Sequence, residues 1–239
     1  MKAIILAGGK GSRLYPYTAL LPKPLMPLGD MPVLELLLRR LRQGGVDEAF
    51  LAVNHLRHLI EAFVGDGSRM GLRLHYSQED RPLGTAGSIA AVLDQLGDDF
   101  LVANGDLLTT LDIAALIGFH REKRAAATIG VFPREVMIDF GLLEVDADMR
   151  MTAYTEKPRR EHLVSMGIYV LNAASVRRFV QPETYLDMPD LLRTMQQNGA
   201  DVRCFRSDCF WLDIGRPDDF AQAQEIYQRD PQVFLGPPA

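Results

Sequence analysis

Between Lys2 and Phe132, short apolar runs alternate with amphipathic ones, and this rhythm narrows the possible folds more than any other feature of the chain. Lys2 to Ala7 reads as a fully buried strand, and a glycine-rich loop leaves it at once. Pro32 to Gln43 reads as a helix. Val33, Leu34, Leu37, Leu38 and Leu41 share one face, Pro32 suits a first turn, and Gly44-Gly45 stops it. A strand over Glu48 to Val53, a helix from about His55 to Val64 and a strand over Leu72 to Tyr76 come next. A helix over Thr85 to Gln95 and a buried strand over Phe100 to Ala103 continue the series. Asp112 is placed to cap a helix ending near Arg121, and Ala126 to Phe132 is the next strand. Such alternation predicts a mostly parallel sheet covered by helices on both faces.

After Pro133 the rhythm changes. Phe140 to Val145 and Met151 to Thr155 predict a hairpin around Asp146 to Arg150. Met166 to Leu171 predicts a strand, and Met188 to Gln197 and Pro217 to Gln228 predict helices. The tail from Asp230 to Ala239, with Gly236-Pro237-Pro238, is expected to be loosely held. The expectation is one α/β domain with an inserted substrate-binding lobe.

Composition removes several classes of function. The 239 residues are 47% hydrophobic, ample for a packed core, and the net charge is -5 with no basic block. Binding to nucleic acid or to a membrane surface through bulk electrostatics is not expected. An acidic balance still admits anionic substrates, because a few local cations can dominate a cleft. The two cysteines, Cys204 and Cys209, have neither CxxC nor zinc-pair spacing. No apolar stretch comes near 18 residues, so a cytoplasmic protein is expected.

The segment Leu6-Ala7-Gly8-Gly9-Lys10-Gly11-Ser12-Arg13-Leu14 carries three glycines directly after a buried strand. Residues without side chains let backbone N–H groups close on phosphate oxygens. Counting excludes two better-known loops. A Walker A loop needs Lys-Ser/Thr after its second glycine, and Lys10 is followed by Gly11. A dinucleotide fingerprint needs a glycine where Leu14 stands. Arg13 and Lys23 add positive charge, and Pro22 and Pro24 stiffen the backbone on either side of Lys23. Amides, charge and rigidity together suit a triphosphate.

Further carboxylates emerge where ligands gather in open α/β sheets, beyond the carboxyl ends of strands. Asn104-Gly105-Asp106 comes after the strand Phe100 to Ala103, and Asp213 comes after a short apolar run within Phe210-Trp211-Leu212-Asp213-Ile214-Gly215. A hard divalent cation such as Mg²⁺ prefers carboxylate and phosphate oxygens. Pro82-Leu83-Gly84-Thr85-Ala86-Gly87 opens a helix, whose N-terminus favours a polar or anionic ligand. Glu156-Lys157-Pro158 places a lysine against a proline after another strand. Asp139-Phe140-Gly141 spells a kinase metal motif, but no His-Arg-Asp loop accompanies it.

The glycine loop followed by Pro22-Lys23-Pro24-Leu25 resembles the opening of the sugar nucleotidyltransferases, most nearly the mannose-1-phosphate guanylyltransferases and their heptose- and muramate-phosphate relatives. The likeness runs in order to about Tyr227. It implies a Rossmann-like (GT-A-like) fold in a single domain over residues 1–229. That domain would have a nucleotide-binding part over about 1–132, a sugar-binding part over about 133–215 and a closing helix at 217–228. It implies nucleotide contacts at Leu6, Ala7, Gly8, Gly9, Gly11, Ser12, Arg13, Gly84, Thr85, Ala86 and Asn104. Gly105, Gly141, Glu156, Lys157 and Ser165 would meet the sugar phosphate. Asp106 and Asp213 would share one Mg²⁺, and Arg13, Lys23 and Lys157 would serve catalysis beside them. GTP with mannose-1-phosphate or a related sugar is the expected pair, ahead of UTP or dTTP with glucose-, glucosamine- or muramate-type phosphates; a homodimer is compatible. Two departures bear on identity. Tyr15 stands where guanylyltransferases often have a second arginine, and Ser165 where many have asparagine. A non-catalytic sugar-nucleotide-binding subunit and a nicotinamide-dependent oxidoreductase are the rival expectations.

Overall fold

In the computed structural model, which describes residues 1–9, 11–79 and 81–235, the predicted alternation becomes a seven-stranded sheet. The chain opens with β1 (Lys2–Leu6), the two-residue strands β2 (Pro27–Leu28) and β3 (Met31–Pro32), α1 (Val33–Gln43), β4 (Glu48–Val53), α2 (Arg57–Val64) and β5 (Arg73–Gln78). Next come α3 (Gly84–Gly87), β6 (Asp99–Asn104), β7 (Leu107–Thr109), α4 (Ile113–Lys123) and β8 (Ala127–Met137). The hairpin β9 (Leu142–Val145) and β10 (Met151–Thr155) precedes β11 (Arg159–Asn172) and α5 (Ala173–Val176). The chain then forms α6 (Met188–Gln197), β12 (Val202–Arg206), β13 (Trp211–Asp213), α7 (Pro217–Arg229) and α8 (Gln232–Leu235).

The sheet order is β12-β8-β11-β6-β1-β4-β5, with β11 antiparallel to both neighbours and the remaining pairs parallel. Strands buried on both faces must be apolar on both, which is why Ala3, Ile4 and Ile5 are all fully buried in β1. Ile5 packs with Leu34, Leu38 and Ile60 on one face, and Ile4 with Ile89, Leu96 and Met195 on the other. Among the described residues no helix is long and apolar enough to cross a membrane.

The structure departs from the sequence expectations in three places. In place of one helix over Thr85 to Gln95, only the single turn α3 forms, followed by 3-10 turns at Ser88–Ala91 and Leu93–Gln95. The cause is the segment 184–187, which lies directly on this turn. Leu186 O accepts both the Ala86 and Gly87 amides, and a Cβ at Gly84 (φ 77°) would stand 2.5 Å from Leu186 O. The lobe after Pro133 is also less separate than expected: β8 and β11 run on past the sheet as one long antiparallel ribbon, with the β9–β10 hairpin at its far end. Finally, the tail expected to be loose is docked as far as α8. Phe234 is 2% exposed, meets Phe210 edge-on and stacks on Tyr227, and Val233 O accepts from Arg40. The tail's remaining residues, 236–239, lie outside the described residues.

Candidate functional site

The two aspartates are 107 positions apart, and a small piece of sheet brings them together. β7 and β13 pair antiparallel with Asp213 opposite Leu107, and the Ile214 amide donates to Asp106 O. Asp106 therefore sits one residue before a paired strand and Asp213 at the end of its partner. Tertiary packing anchors the arrangement: Thr110 N donates to Phe210 O, and Trp211 Nε1 donates to Met166 O at 2.9 Å.

Lys23 completes the cluster. Its ammonium bonds Asp106 Oδ2 and lies 3.3 Å from Asp213 Oδ1. Pro22, Lys23 and Pro24 are all buried in a tight 3-10 turn, so the lysine is held by backbone as well as by charge. Burial pushes the Asp106 carboxyl up, the Lys23 ammonium opposes that shift, and the Asp213 carboxylate adds to it. Asp106 Oδ1 is buried and has no hydrogen-bond partner among the described residues. Such an orphaned anionic oxygen beside a second carboxylate carries a desolvation cost that a cation would relieve. Among the described residues no group of three or more metal-ligating side chains gathers. Two carboxylates nevertheless suit Mg²⁺, which commonly takes one or two from the protein and the rest from phosphates and water. The residues present fit that ion.

A cavity opens beside Lys23 and Asp106, above the carboxyl ends of β6, β1, β4 and β5. Of the sequence-predicted nucleotide residues, Leu6, Ala7, Gly8, Gly9, Gly84, Thr85 and Asn104 line it. Among the described residues, the amides of Gly8, Gly9, Gly11 and Ser12 have no protein acceptor, whereas Ala7 N is committed to Ala52 O and Gly105 N to Leu6 O. A helix does start at Gly84, as the single turn α3, but its first amides have acceptors within the protein. Ala86 is fully buried, its amide is spent on Leu186 O, and Thr85 N donates to Asp187 Oδ1 at 3.1 Å. The segment acts as a wall rather than as a donor set.

A second cavity lies on the other side of Asp213, where Arg13 meets Phe132, Arg134, Trp211 and Arg216. Arg13 lines this second cavity together with Asp213, and not the first, where Gly8 and Gly9 lie. None of the five expected sugar-phosphate residues lines either cavity; Gly105 lies between two that line the first. Lys157 is exposed with φ 43°, Glu156 accepts from Tyr154 Oη at 2.9 Å, and Ser165 Oγ is 3.0 Å from Tyr169 Oη. At Gly141 the close neighbour is the Tyr154 phenol, which any side chain there would strike.

Three residues of the first cavity were missed from sequence. Asn54 comes directly after β4 and donates from Nδ2 to Glu79 O; Glu79 comes directly after β5, and its Oε2 accepts the Leu83 amide at 3.1 Å. Burial pushes the Glu79 carboxyl up, the Leu83 amide opposing it. Ser88 Oγ is buried with no hydrogen-bond partner among the described residues. The signal that marked Asp106, a polar residue just beyond the carboxyl end of a parallel strand, was equally present for Asn54 and Glu79.

The chain matches the nucleotidyl transferase family over residues 2–230. It is 34% identical over 241 residues to a UTP–glucose-1-phosphate uridylyltransferase of Synechocystis sp., covering 93% of this chain and 62% of that protein. It is 33% identical over 225 residues to a mannose-1-phosphate guanylyltransferase of Mycobacterium tuberculosis, covering 92% of this chain and 62% of that protein. The chain thus spans about three-fifths of the length of these curated relatives. Among solved structures it superposes on HddC from Yersinia pseudotuberculosis complexed with GMP-PN (TM-score 0.72, 24% identity, 95% and 99% of the two chains). It also superposes on a Bacillus anthracis protein described as a glucose-1-phosphate thymidylyltransferase (TM-score 0.78, 24% identity, 96% of each chain). These structural likenesses establish the fold, with its mixed α/β sheet.

Proposed function

The chain belongs to the nucleotidyl transferase family, and from that premise we propose that it joins a nucleoside triphosphate to a sugar-1-phosphate and releases pyrophosphate. The observation that supports this most is the meeting of Asp106, Asp213 and Lys23 beside unclaimed loop amides. The chemistry requires a sugar-phosphate oxygen to attack the α-phosphorus of the triphosphate. That oxygen is already ionised at neutral pH, so no side-chain nucleophile is needed; positioning and electrostatics carry the rate. Mg²⁺ held by Asp106 and Asp213 would supply charge neutralisation at the α-phosphate. Lys23, already the cation nearest both carboxylates, is placed to stabilise the reacting phosphates. The amides of Gly8, Gly9, Gly11 and Ser12 hold the β and γ phosphates, with Arg13 at their far side. Leu6, Ala7, Gly84, Thr85 and Asn104 shape the nucleotide cavity.

On the acceptor side, Lys157 and Glu156 receive the sugar phosphate and its hydroxyls, with Gly105, Gly141 and Ser165 along the same path. Because Glu156 and Lys157 lie on an exposed ribbon and line neither cavity, this half of the proposal requires the ribbon to move toward Asp213. GTP with mannose-1-phosphate or a related sugar is the preferred pair, consistent with the relative in M. tuberculosis. The Synechocystis relative favours UTP with glucose-1-phosphate as the second reading. A panel of triphosphates against sugar-1-phosphates, scored for pyrophosphate, tests both. Folded protein that releases none with any pair in Mg²⁺ overturns the proposal.

A further inference from the structure

Water is a poor solvent for apolar surface, and this molecule leaves most of its exposed share in one place. Among the described residues, ten of the fifteen large apolar side chains that remain exposed lie between Val136 and Leu163, on the ribbon and its hairpin. The hairpin sorts its part of them by face. Leu143 pairs with Tyr154 and Val145 with Met151. Paired residues of an antiparallel ladder share a face, as do residues two apart on one strand. These four side chains therefore form one apolar face, each between 45% and 65% exposed. On the opposite face Leu142 and Ala153 are half-buried. An antiparallel sheet with one wet face ordinarily turns polar side chains to the water; this one turns apolar side chains there.

Cohesion, area and charge together say what covers this face. A two-stranded sheet alone is marginal in water, and β9 and β10 pair only with each other, so a second packed layer would hold them. With Phe140 and Met149 at its ends, the face presents several hundred Å² of apolar surface. That is comparable with the roughly 800 Å² that each partner contributes to a standard interface. The turn from Asp146 to Arg150 carries two acids and one base. The residues flanking the hairpin, Asp139 and Glu156 to Arg160, carry two acids and three bases. Two copies packed tip to tip would set the acidic turns against each other. Packed tip to base, the excess negative charge of each turn meets the excess positive charge of the other copy. The register slip between Met151 and Ala153 bends the β10 edge, which disfavours pairing edge to edge and leaves the face as the contact.

We infer that two copies of this chain pack hairpin on hairpin about a two-fold axis, apolar face to apolar face and tip to base. The same patch then serves on both copies, as a two-fold interface requires. Leu143, Val145, Met151 and Tyr154 of the two copies form a small two-layered core between them. The contact stands apart from nucleotidyl transfer, and its measurement needs no substrate.

Sedimentation equilibrium of the 239-residue chain tests it. At micromolar concentrations the unmodified protein should sediment with twice the mass of one chain. Met151→Glu puts a charge at the centre of the contact in both copies and should weaken association at least roughly 30-fold. Leu143→Glu should do the same. Both side chains are exposed in the single chain, so each variant should keep the circular dichroism of the unmodified protein. Asp148→Lys should also weaken association, and adding Lys157→Glu should recover most of it by restoring opposite charges between tip and base. A chain that stays monomeric throughout overturns the inference, whether its face is bare or covered by another molecule. A dimer untouched by Met151→Glu and Leu143→Glu overturns it equally, because that dimer uses another surface. A charge swap that recovers nothing overturns the tip-to-base arrangement.

Discussion

The carboxyl-end edge of the sheet at its central strands β6 and β1 and the β8–β11 ribbon both carry groups assigned to one reaction, yet they hold them in opposite ways. At the sheet edge, Lys23 is locked between buried prolines, and Asp106 and Asp213 are tied by the register of β7 and β13. On the ribbon, Glu156 and Lys157 stand in solvent at the end of an isolated hairpin. Apolar side chains there are exposed as well, Phe140 by 77% and Met151 by 65%. Burial is costly for charges, so the packed edge accepts that cost to fix geometry at the reacting phosphates. The ribbon avoids it and leaves its groups adaptable. Tight preorganisation belongs where charge changes during reaction, and looser placement where a substrate is gathered.

Substitutions in the two regions should separate them, beginning with the strongest contrast. Asp106→Asn should lower turnover by roughly 10²-fold or more with the protein still folded; unchanged turnover in Mg²⁺ would mean that the sheet edge is not preorganised for the reaction. Lys157→Ala should act more mildly, raising the KM for the sugar phosphate by roughly 10-fold, as for one charged hydrogen bond, while turnover is largely kept. If turnover fell as far as in Asp106→Asn, the ribbon would be as preorganised as the edge.

Two capping aspartates extend the contrast to stability. Asp112 Oδ1 accepts the Ala115 amide at 2.8 Å at the start of α4, which packs on the sheet. Asp112→Ala should cost about 1 kcal/mol of global stability by denaturant titration. Asp146 Oδ1 accepts the Asp148 and Arg150 amides, both at 2.9 Å, but only within the β9–β10 turn. Asp146→Ala should leave the global midpoint in place and raise amide exchange over 142–155 alone. A global loss there would mean that ribbon and sheet unfold as one unit. The smallest effect concerns His120, 1% exposed, whose Nδ1 lies 2.8 Å from Thr128 Oγ1. Burial lowers its pKa, the Asp99 carboxylate opposing, so the unfolded chain binds the proton more readily. Stability should therefore fall as pH drops below about 6.5, and His120→Gln should flatten that dependence.

What the sequence revealed divides along the same line. The glycine loop, the proline-locked lysine and Asp106 were legible because each is local: a strand, its carboxyl end and the few residues beyond it. The pairing of Asp213 with Asp106 was not, since β7 and β13 are three residues each and their register joins distant segments; only the family resemblance linked the two aspartates. Residues 85–95 carry helical periodicity that the approach of 184–187 overrides. The length of β8 and β11 was hidden because both lose their apolar pattern beyond the sheet, at Arg134 to Met137 and Arg159 to Ser165. Glu79 went unnoticed within a charged stretch that reads as solvated surface. Phe234 was masked by the Gly-Pro-Pro shortly after it.

The most direct test of the shared metal centre is anomalous diffraction from crystals grown with Mn²⁺ and a non-hydrolysable GTP analogue. A single strong peak between the carboxylates of Asp106 and Asp213, touching the bound phosphates, is predicted. An ordered nucleotide whose manganese lies elsewhere, or touches neither aspartate, would contradict it.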